Sequence, residues 1–250
     1  MRRRDFIRSS AALGIAAAAS GVVRAGGQTV SSSQTVVAAG AKGAGKLAAP
    51  AKGQINVAFV ISAYATVIDF AGPWEVFQDV HISARGQGHD DQMPFQLYTV
   101  SEKTEPLRAT AGLQLIPDYT FETAPAPRVV VIGAQAGRSK AMYDWLVKTS
   151  KTADVLMSVC TGAFHLARAG LLDGREATTH HDFTARLAEQ YPAVKVKRGL
   201  RFIEGYPIST AGGLTSGIDL ALRVVERYFG REVAGTTARY MEYQSTGWMV

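Results

Sequence analysis

The stretch that decides the fold is Val155–Arg168, which reads VLMSVCTGAFHLAR and contains Cys160, the only cysteine among the 250 residues. An apolar run leads into Ser158, and a helix-like segment begins at Gly162. A nucleophile flanked two residues away by a small residue and by glycine is typical of the strand-to-helix elbow of hydrolase-type enzymes. The free N–H groups of the helix start favour a thiolate, the reactive form of cysteine. The alternative is a small buried hydrophobic residue, as most lone cysteines are.

Short apolar runs alternate with helical patterns over residues 54–250, and this alternation predicts a single α/β domain. Fully apolar strands indicate a parallel sheet that is covered on both faces. The predicted strands are Ile55–Ile61, Phe95–Val100, Arg128–Ile132, Asp154–Val159, Val194–Phe202 and Ile208–Thr210. The predicted helices are Asp69–Val80, Ser139–Thr149, Asp182–Gln190, Thr215–Phe229 and Arg231–Tyr243.

Three segments follow predicted strands and are expected to meet in one crevice. Cys160 follows one strand, Gly133 and Ala134 follow another, and Asp69 comes shortly after the first. Ligands of open α/β sheets bind at the carboxyl ends of the strands. The backbone N–H groups of Ala134 and Thr161, with Gly133 beside them, are candidates for an oxyanion hole.

Asp69 is an acid with apolar neighbours at the start of a predicted helix. One interpretation is that its charge complements the helix dipole. The other is that its carboxyl group lies near the sulfur with a pKa raised by burial, which suits proton transfer at neutral pH.

Either His180 or His181 is the candidate base or hydrogen-bond partner of the thiol. His180 and His181 are adjacent on a predicted extended segment, so their side chains should point in opposite directions and one at most should face the crevice. The remaining histidines, His165 among them, are predicted to lie on the surface or on a helix face. No metal site is expected, because two adjacent histidines offer zinc too few ligands at a poor spacing.

Residues 1–25 are predicted to be an export signal and not part of the fold. Arg2–Arg4 form a positive start, a small-residue apolar stretch follows, and Arg3–Arg8 resembles a twin-arginine motif. An ordinary secretory signal or an uncleaved anchor is the alternative. Residues 26–53 are rich in small and polar residues and are predicted to be a flexible linker. These features predict a periplasmic protein that meets the membrane only through its signal.

The net charge gives no sign of a nucleic-acid partner. The whole chain carries +6, but residues 1–25 hold five arginines and one aspartate, so the remainder carries only +2. The sequence has no basic stripe of the kind that binds nucleic acid. One cysteine also excludes an intramolecular disulfide.

Five segments resemble motifs of the DJ-1/PfpI superfamily, a branch of the class I glutamine amidotransferase-like proteins. They are residues 68–77 (IDFAGPWEVF), 158–164 (SVCTGAF), 166–174 (LARAGLLDG), 177–180 (ATTH) and 210–220 (TAGGLTSGIDL). The aspartate at position 69 and the Cys-Thr-Gly elbow are most similar to the isonitrile hydratase branch and to the sensor domains of AraC-type regulators.

The resemblance implies a flavodoxin-like three-layer sandwich, a homodimer and no cofactor. In the hydratase branch the thiolate attacks the terminal carbon of an isonitrile, and water releases a formamide from the resulting thioimidate. By this resemblance Cys160 is the nucleophile, Asp69 the acid/base partner and Thr161 a contact to substrate or water. His180 matches a family histidine whose role varies.

Two features depart from the family pattern. Ala134 stands where the family usually has a glycine after the central strand, which adds a methyl group beside the predicted oxyanion hole. The predicted export is the second departure. The alternative function is therefore a non-catalytic ligand-binding or redox-sensing module, and a protease is a weaker third because Thr161, not a histidine, follows the cysteine. No segment after Tyr243 is long enough for DNA-binding helices, so a regulator is not predicted.

Overall fold

The computed structural model describes residues 39–40 and 45–250, and its central feature is an eight-stranded sheet with helices on both faces. The strands are β1 (Ala39–Gly40), β2 (Ile55–Val60), β3 (Phe95–Ser101), β4 (Leu107–Arg108), β5 (Gln114–Leu115), β6 (Tyr119–Thr120), β7 (Val129–Ile132), β8 (Val155–Ser158), β9 (Glu176–Ala177), β10 (Lys195–Val196), β11 (Phe202–Glu204) and β12 (Ile208–Ala211). The helices are α1 (Val67–Gln78), α2 (His89–Gln92), α3 (Lys140–Thr149), α4 (Gly162–Arg168), α5 (Thr184–Gln190), α6 (Ser216–Phe229) and α7 (Arg231–Tyr240).

The sheet is mostly parallel, as the sequence predicts. Its strand order is β1-β11-β12-β8-β7-β2-β3-β6, and only β11 and β12 pair antiparallel. The strands β2, β7 and β8 lie side by side in its centre. Parallel strands end at the same edge of a sheet, so the segments that follow these three strands are brought together.

Both faces of the sheet are buried, which explains the continuous apolar runs. In β2, the side chains of Ile55, Val57 and Phe59 pack in the core beneath α1, α6 and α7. The alternate side chains of Ala58 and Val60 pack in a second core beneath α3, α4 and α5. Because successive side chains point to opposite faces, each strand contributes to both cores, and helices cover the sheet on both sides in a three-layer sandwich.

The structure differs from the sequence prediction in one strand and in several element ends. The predicted strand Val194–Phe202 is two strands, β10 and β11, in different sheets. Gly199, with a φ of 72°, interrupts it in a left-handed conformation that a strand does not allow. Helix α1 begins two residues before Asp69, and helix α2 lies in a segment for which the sequence predicts no element.

Residues 45–53, which the sequence assigns to a flexible linker, pack against the domain. Leu47 is buried, and its N–H group donates to the Arg227 carbonyl at 2.8 Å. The Arg227 guanidinium donates to the Gly45 carbonyl at 3.0 Å. An apolar side chain and paired backbone groups stabilise this segment, and composition alone did not indicate them.

The predicted export signal, residues 1–25, lies outside the described residues. Within the part of the chain that the structure describes, no helix is both long and apolar enough to span a membrane.

Candidate active site

Cys160 lies at a sharp turn between β8 and α4, where the sequence predicts an elbow. Its φ of 58° is left-handed, which costs a non-glycine residue about 1 kcal/mol or more. Two hydrogen bonds hold the turn. The Cys160 N–H group donates to the Gly212 carbonyl at 2.7 Å, and the Thr179 hydroxyl donates to the Cys160 carbonyl at 2.8 Å. The strained turn is thus fixed by the two segments on either side of it.

Two glycines allow the strand ends to approach each other closely. A β-carbon on Gly162 would collide with the carbonyl oxygen of Ile132, at the end of β7. A β-carbon on Gly133 would lie 2.6 Å from the β-carbon of Asp69. Glycine at both positions therefore brings the elbow, the end of β7 and the start of α1 into contact.

Asp69 is fully buried in the first turn of α1. Its Oδ2 atom accepts a hydrogen bond from the Ala134 N–H group at 2.9 Å. Its Oδ1 atom is buried and has no hydrogen-bond partner within the described part of the chain. Burial raises the pKa of Asp69 to about 6, and the Ala134 N–H group and the Cys160 thiol oppose that rise. A carboxyl group that titrates near neutral pH is suited to proton transfer.

Ala134 is placed differently from the sequence prediction. Its N–H group is engaged by Asp69, so it is not free to donate to an oxyanion in this arrangement. The close approach of α1 and the end of β7 is the physical reason, since it brings the Asp69 carboxyl group within hydrogen-bond distance of this N–H group. The roles of Gly133 and Thr161 as contacts to substrate stay predictions.

The Cys160 sulfur is held as a thiol, contrary to the thiolate that the sequence predicts. Burial raises the pKa of Cys160 to about 11, and the negative charge of Asp69 adds to the rise. The N–H groups of Thr161 and Leu214 and the Thr161 hydroxyl lower this pKa without cancelling the rise. Only 7% of the residue is exposed, so desolvation of the thiolate outweighs the helix start.

The pair therefore holds a proton on sulfur and a negative charge on carboxylate above about pH 6. The sulfur becomes a strong nucleophile only as its proton leaves. Asp69 is the adjacent group with a pKa suited to accept that proton. The arrangement supports general base catalysis of thiol addition and return of the same proton at a later step.

His180 lies beside the elbow, with its ring against the backbone of Gly213, where a β-carbon would collide with the ring. Among the described residues it forms no hydrogen bond or ion pair with Cys160. The rings of His180 and His181 stack at 4.3 Å, so the prediction that they point in opposite directions is wrong. The chain leaves its extended path at His180 and enters a 3₁₀ turn over His181–Phe183, which puts both rings on one side.

The same turn gathers three potential metal ligands. One ligand atom each of His180, His181 and Asp182 lie within 4.8 Å of one another. His181 Nε2 lies 3.2 Å from an Asp182 oxygen, an ion pair when the histidine is protonated. His181 and Asp182 are exposed, and their mutual pairing accounts for the cluster without an ion.

Two further residues of the site were not identified from the sequence. Leu214 has a left-handed backbone, with a φ of 51°, and its N–H group acts on the Cys160 sulfur. Thr179 fixes the elbow carbonyl. The Gly212-Gly213 pair before Leu214 is the local sequence signal of a tight turn.

His165 is buried, which corrects the prediction of a surface or helix-face position. Its Nε2 atom lies 3.3 Å from the Gln135 carbonyl, and its Nδ1 atom lies 3.4 Å from the Tyr143 hydroxyl. A carbonyl only accepts, so Nε2 carries the ring proton and Nδ1 accepts from the tyrosine. Burial lowers the pKa of His165 to about 4, and the positive charges of Arg138 and Arg168 contribute.

A known family model matches most of the domain that holds this site. The model of the DJ-1/PfpI family matches residues 55–227. The chain belongs to the DJ-1/PfpI family. Among solved structures, a THiJ/PfpI family protein from Pseudomonas syringae aligns with a TM-score of 0.66 at 24% identity, over 79% of this chain and 78% of that one. The predicted family and the flavodoxin-like α/β fold are confirmed.

Relatives in sequence include an enzyme and a regulator. The isonitrile hydratase of Pseudomonas putida is 29% identical over 197 residues, which are 76% of this chain and 78% of the enzyme. The HTH-type transcriptional regulator GbdR of Pseudomonas aeruginosa is 30% identical over 154 residues, which are 60% of this chain and 42% of the regulator. This DJ-1/PfpI chain therefore matches most of the hydratase and less than half of the regulator.

Proposed function

We propose that this DJ-1/PfpI protein is a cysteine-dependent hydratase that converts an isonitrile and water into an N-substituted formamide. The observation that carries the proposal is the buried Asp69 carboxyl group, with a pKa of about 6, beside the Cys160 thiol. The similarity to the Pseudomonas putida isonitrile hydratase over most of both chains supports the same reaction class.

In the first step the Cys160 sulfur forms a bond to the terminal carbon of the isonitrile. Asp69 takes the thiol proton as that bond forms and then delivers it to the same carbon. The product is a thioimidate, in which the former isonitrile carbon carries the sulfur, one hydrogen and a double bond to nitrogen. No atom is lost, because the thiol adds entirely across one carbon.

In the second step a water molecule adds its oxygen to the thioimidate carbon and a proton to the nitrogen. The carbon–sulfur bond then breaks, a carbonyl forms, and the remaining hydroxyl proton returns through Asp69 to the sulfur. The released product is the formamide, and Cys160 is again a thiol. Thr161 acts on the sulfur through its N–H group and hydroxyl, and its position supports a role in holding the water or the thiolate leaving group.

The test is turnover of aliphatic and aromatic isonitriles by the purified protein, followed as formamide production. Cys160→Ser should lower kcat at least about 10³-fold, and Asp69→Asn about 10²- to 10⁴-fold. Glu75→Gln is the matched control, because it removes an exposed carboxylate from the same helix α1. Turnover that survives both Cys160→Ser and Asp69→Asn would contradict the proposal.

A ligand-binding module without turnover is the second candidate. The observation that favours it is the raised pKa of Cys160, which leaves little thiolate at neutral pH, together with the similarity to the regulator GbdR. This candidate requires saturable binding of a small molecule and no product. The raised pKa does not favour the redox-sensing form, because peroxide reacts with the thiolate; that form requires that peroxide nevertheless oxidises Cys160 to the sulfenic state, measured by mass spectrometry of the intact protein.

We also propose that residues 1–25 export the folded protein to the periplasm by the twin-arginine route. The Arg3-Arg4 pair before an apolar small-residue stretch supports this. Replacement of both arginines by lysine should retain the protein in the cytoplasmic fraction, whereas the parent chain should appear in the periplasmic fraction. Equal fractionation of the two would contradict export by this route.

Assembly as a homodimer is a further proposal, which the family resemblance alone supports. Sedimentation equilibrium of the purified protein tests it. A single species at the mass of one chain, at concentrations well above the micromolar range, would contradict it.

A further inference from the structure

A cavity of about 420 Å³ lies beside the elbow, between the segment after β7 and the helices α3, α4 and α5. Thr161 lines this cavity and also acts on the Cys160 sulfur. The cavity therefore meets the site at Thr161, the neighbour of Cys160 in the chain, while Cys160 itself is not one of its lining residues. Its volume is in the range that holds small-molecule ligands.

The charge of the cavity wall is entirely positive. Arg138, Arg168 and Arg186 line it, and the lining includes no aspartate or glutamate. None of the three forms an ion pair within the described residues, whereas Arg201 and Arg223, elsewhere in the fold, pair with carboxylates. Three arginine side chains around one cavity repel one another unless an anion lies between them.

Independent observations place these charges close together. The positive charges of Arg138 and Arg168 both act on the buried His165 ring, which itself lines the cavity. The guanidinium carbon of Arg168 lies 6.0 Å from the centre of the Tyr143 ring, another lining residue. Arg138 precedes α3 and Arg168 ends α4, so two separate elements direct a positive charge to one space.

The cavity also presents unused hydrogen-bonding groups. Both polar atoms of the Gln135 side chain are buried and have no partner in the described part of the chain. Gln135 lines the cavity. Buried polar groups are normally paired, so an amide that lacks a partner is a candidate contact for a ligand.

We propose that this cavity binds an anionic group of the substrate, a carboxylate or a phosphate, and so directs the other end of the molecule to Cys160. The identity of the reacting end of the molecule rests on the proposed function. The binding of the anion does not. Thr161 immediately precedes α4 and Arg168 ends it, so the two are seven residues apart, or about 10 Å along the helix. The substrate class is therefore a short molecule with the anion at one end and the reactive carbon at the other. Arginine forks match the geometry of both anions, and the aromatic rings of Phe164 and Tyr191 in the lining suit an apolar spacer.

The first experiment measures binding alone, in the Cys160→Ser protein and at constant ionic strength. Benzoate and phenyl phosphate are titrated by calorimetry, with benzamide as the neutral control. Benzoate or phenyl phosphate should bind at least tenfold more tightly than benzamide, and the tighter of the two identifies the anion. Equal binding of benzamide, or no binding of either anion, would overturn the inference.

Variants of the arginines locate the site. Arg138→Gln and Arg168→Gln should each weaken binding of the preferred anion about fivefold. The expected effect is modest because both side chains are exposed to solvent, which screens their charge. Arg239→Gln, which removes an exposed charge from α7 on the other face of the sheet, is the matched control and should leave binding unchanged. An equal loss in the control would show that net charge, and not this cavity, attracts the anion.

The second experiment tests the link to catalysis in the protein that retains Cys160. The ratio of kcat/KM for 4-isocyanobenzoate to that for phenyl isocyanide should exceed ten, and Arg168→Gln should lower it about fivefold through KM. If neither isonitrile is hydrated while the arginine variants still weaken anion binding, the hydratase proposal fails and the anion site stands. If both isonitriles react equally and no anion binds, the anion site fails and the hydratase stands.

Discussion

Asp69→Asn should make the protein more stable near neutral pH while it removes catalysis. In the folded chain the pKa of Asp69 is raised from 3.8 to about 6. The folded state therefore holds a proton on this group between pH 3.8 and pH 6 that the unfolded chain has released. Stability falls as the pH rises through that window, and the full penalty is present above it.

The size of the penalty follows from the shift. A difference of about two pKa units corresponds to about 3 kcal/mol at pH 7, since one unit is equivalent to about 1.4 kcal/mol. The asparagine oxygen can still accept from the Ala134 N–H group, and the variant has no charge to desolvate. Its amide nitrogen replaces Oδ1, which has no partner in the parent within the described residues. An unpaired donor there adds a constant term that does not vary with pH.

The assay is urea unfolding of both proteins at several values between pH 4 and pH 7. The difference in unfolding free energy between Asp69→Asn and the parent should grow by about 2.4 kcal/mol in favour of the variant over that range, because a small part of the penalty is already present at pH 4. Other titrating groups, such as His165, contribute equally to both proteins and cancel in the difference. Asp144→Asn, an exposed carboxylate on α3, is the matched control and should not reproduce the trend. A difference in unfolding free energy that stays constant with pH would refute the conclusion that ionisation of the buried Asp69 destabilises the folded protein.

Three further predictions test the electrostatics and packing of the same region. The alkylation rate of Cys160 by iodoacetamide should rise with pH, with a midpoint near 11. Asp69→Asn should lower that midpoint, because it removes a negative charge beside the sulfur. A midpoint near 8.5 in the parent would contradict a buried thiol. His165→Gln should remove an acid-dependent loss of stability of about 3 kcal/mol that the parent undergoes between pH 6.5 and pH 4, since the folded chain cannot protonate a ring whose pKa is about 4; parallel pH profiles in urea unfolding would exclude this. Gly162→Ala should destabilise the fold by about 3 kcal/mol or prevent folding, because the new methyl group meets a backbone carbonyl that cannot move aside; Gly235→Ala, on helix α7, is the control and should be neutral or slightly stabilising in thermal unfolding.

The elbow and the sheet could be predicted because their signals are local. The apolar run before Cys160 and the small residues around it define a strand, a turn and a helix within one short stretch. The convergence of Asp69 and Gly133 on the elbow also follows from the sequence, because parallel strands place their carboxyl ends at one edge. These predictions needed only the order of elements and the properties of single residues.

The protonation of the site could not be predicted in the same way. The start of α4 is visible in the sequence and favours a thiolate, whereas the pKa of Cys160 is raised by burial in the folded chain and by the charge of Asp69, which is 91 residues away in the sequence. The burial of His165 likewise depends on Gln135 and Tyr143, which approach it only in the folded chain. Desolvation is a property of the whole packed arrangement and has no local sequence pattern.

The engaged Ala134 N–H group and the neutral thiol together favour one kind of electrophile. Hydrolysis of an amide develops an oxyanion that needs preorganised N–H donors, and the Ala134 donor is occupied by Asp69. An isonitrile develops no oxyanion when sulfur adds, because its terminal carbon accepts both the sulfur and the proton. A thiol beside a carboxylate supplies both the sulfur and the proton, because the carboxylate takes the thiol proton and delivers it to the same carbon. Isonitriles should therefore react with this protein where carboxamides of the same shape do not, and equal turnover of a matched pair, measured by product formation, would show that the Ala134 N–H group is released during catalysis.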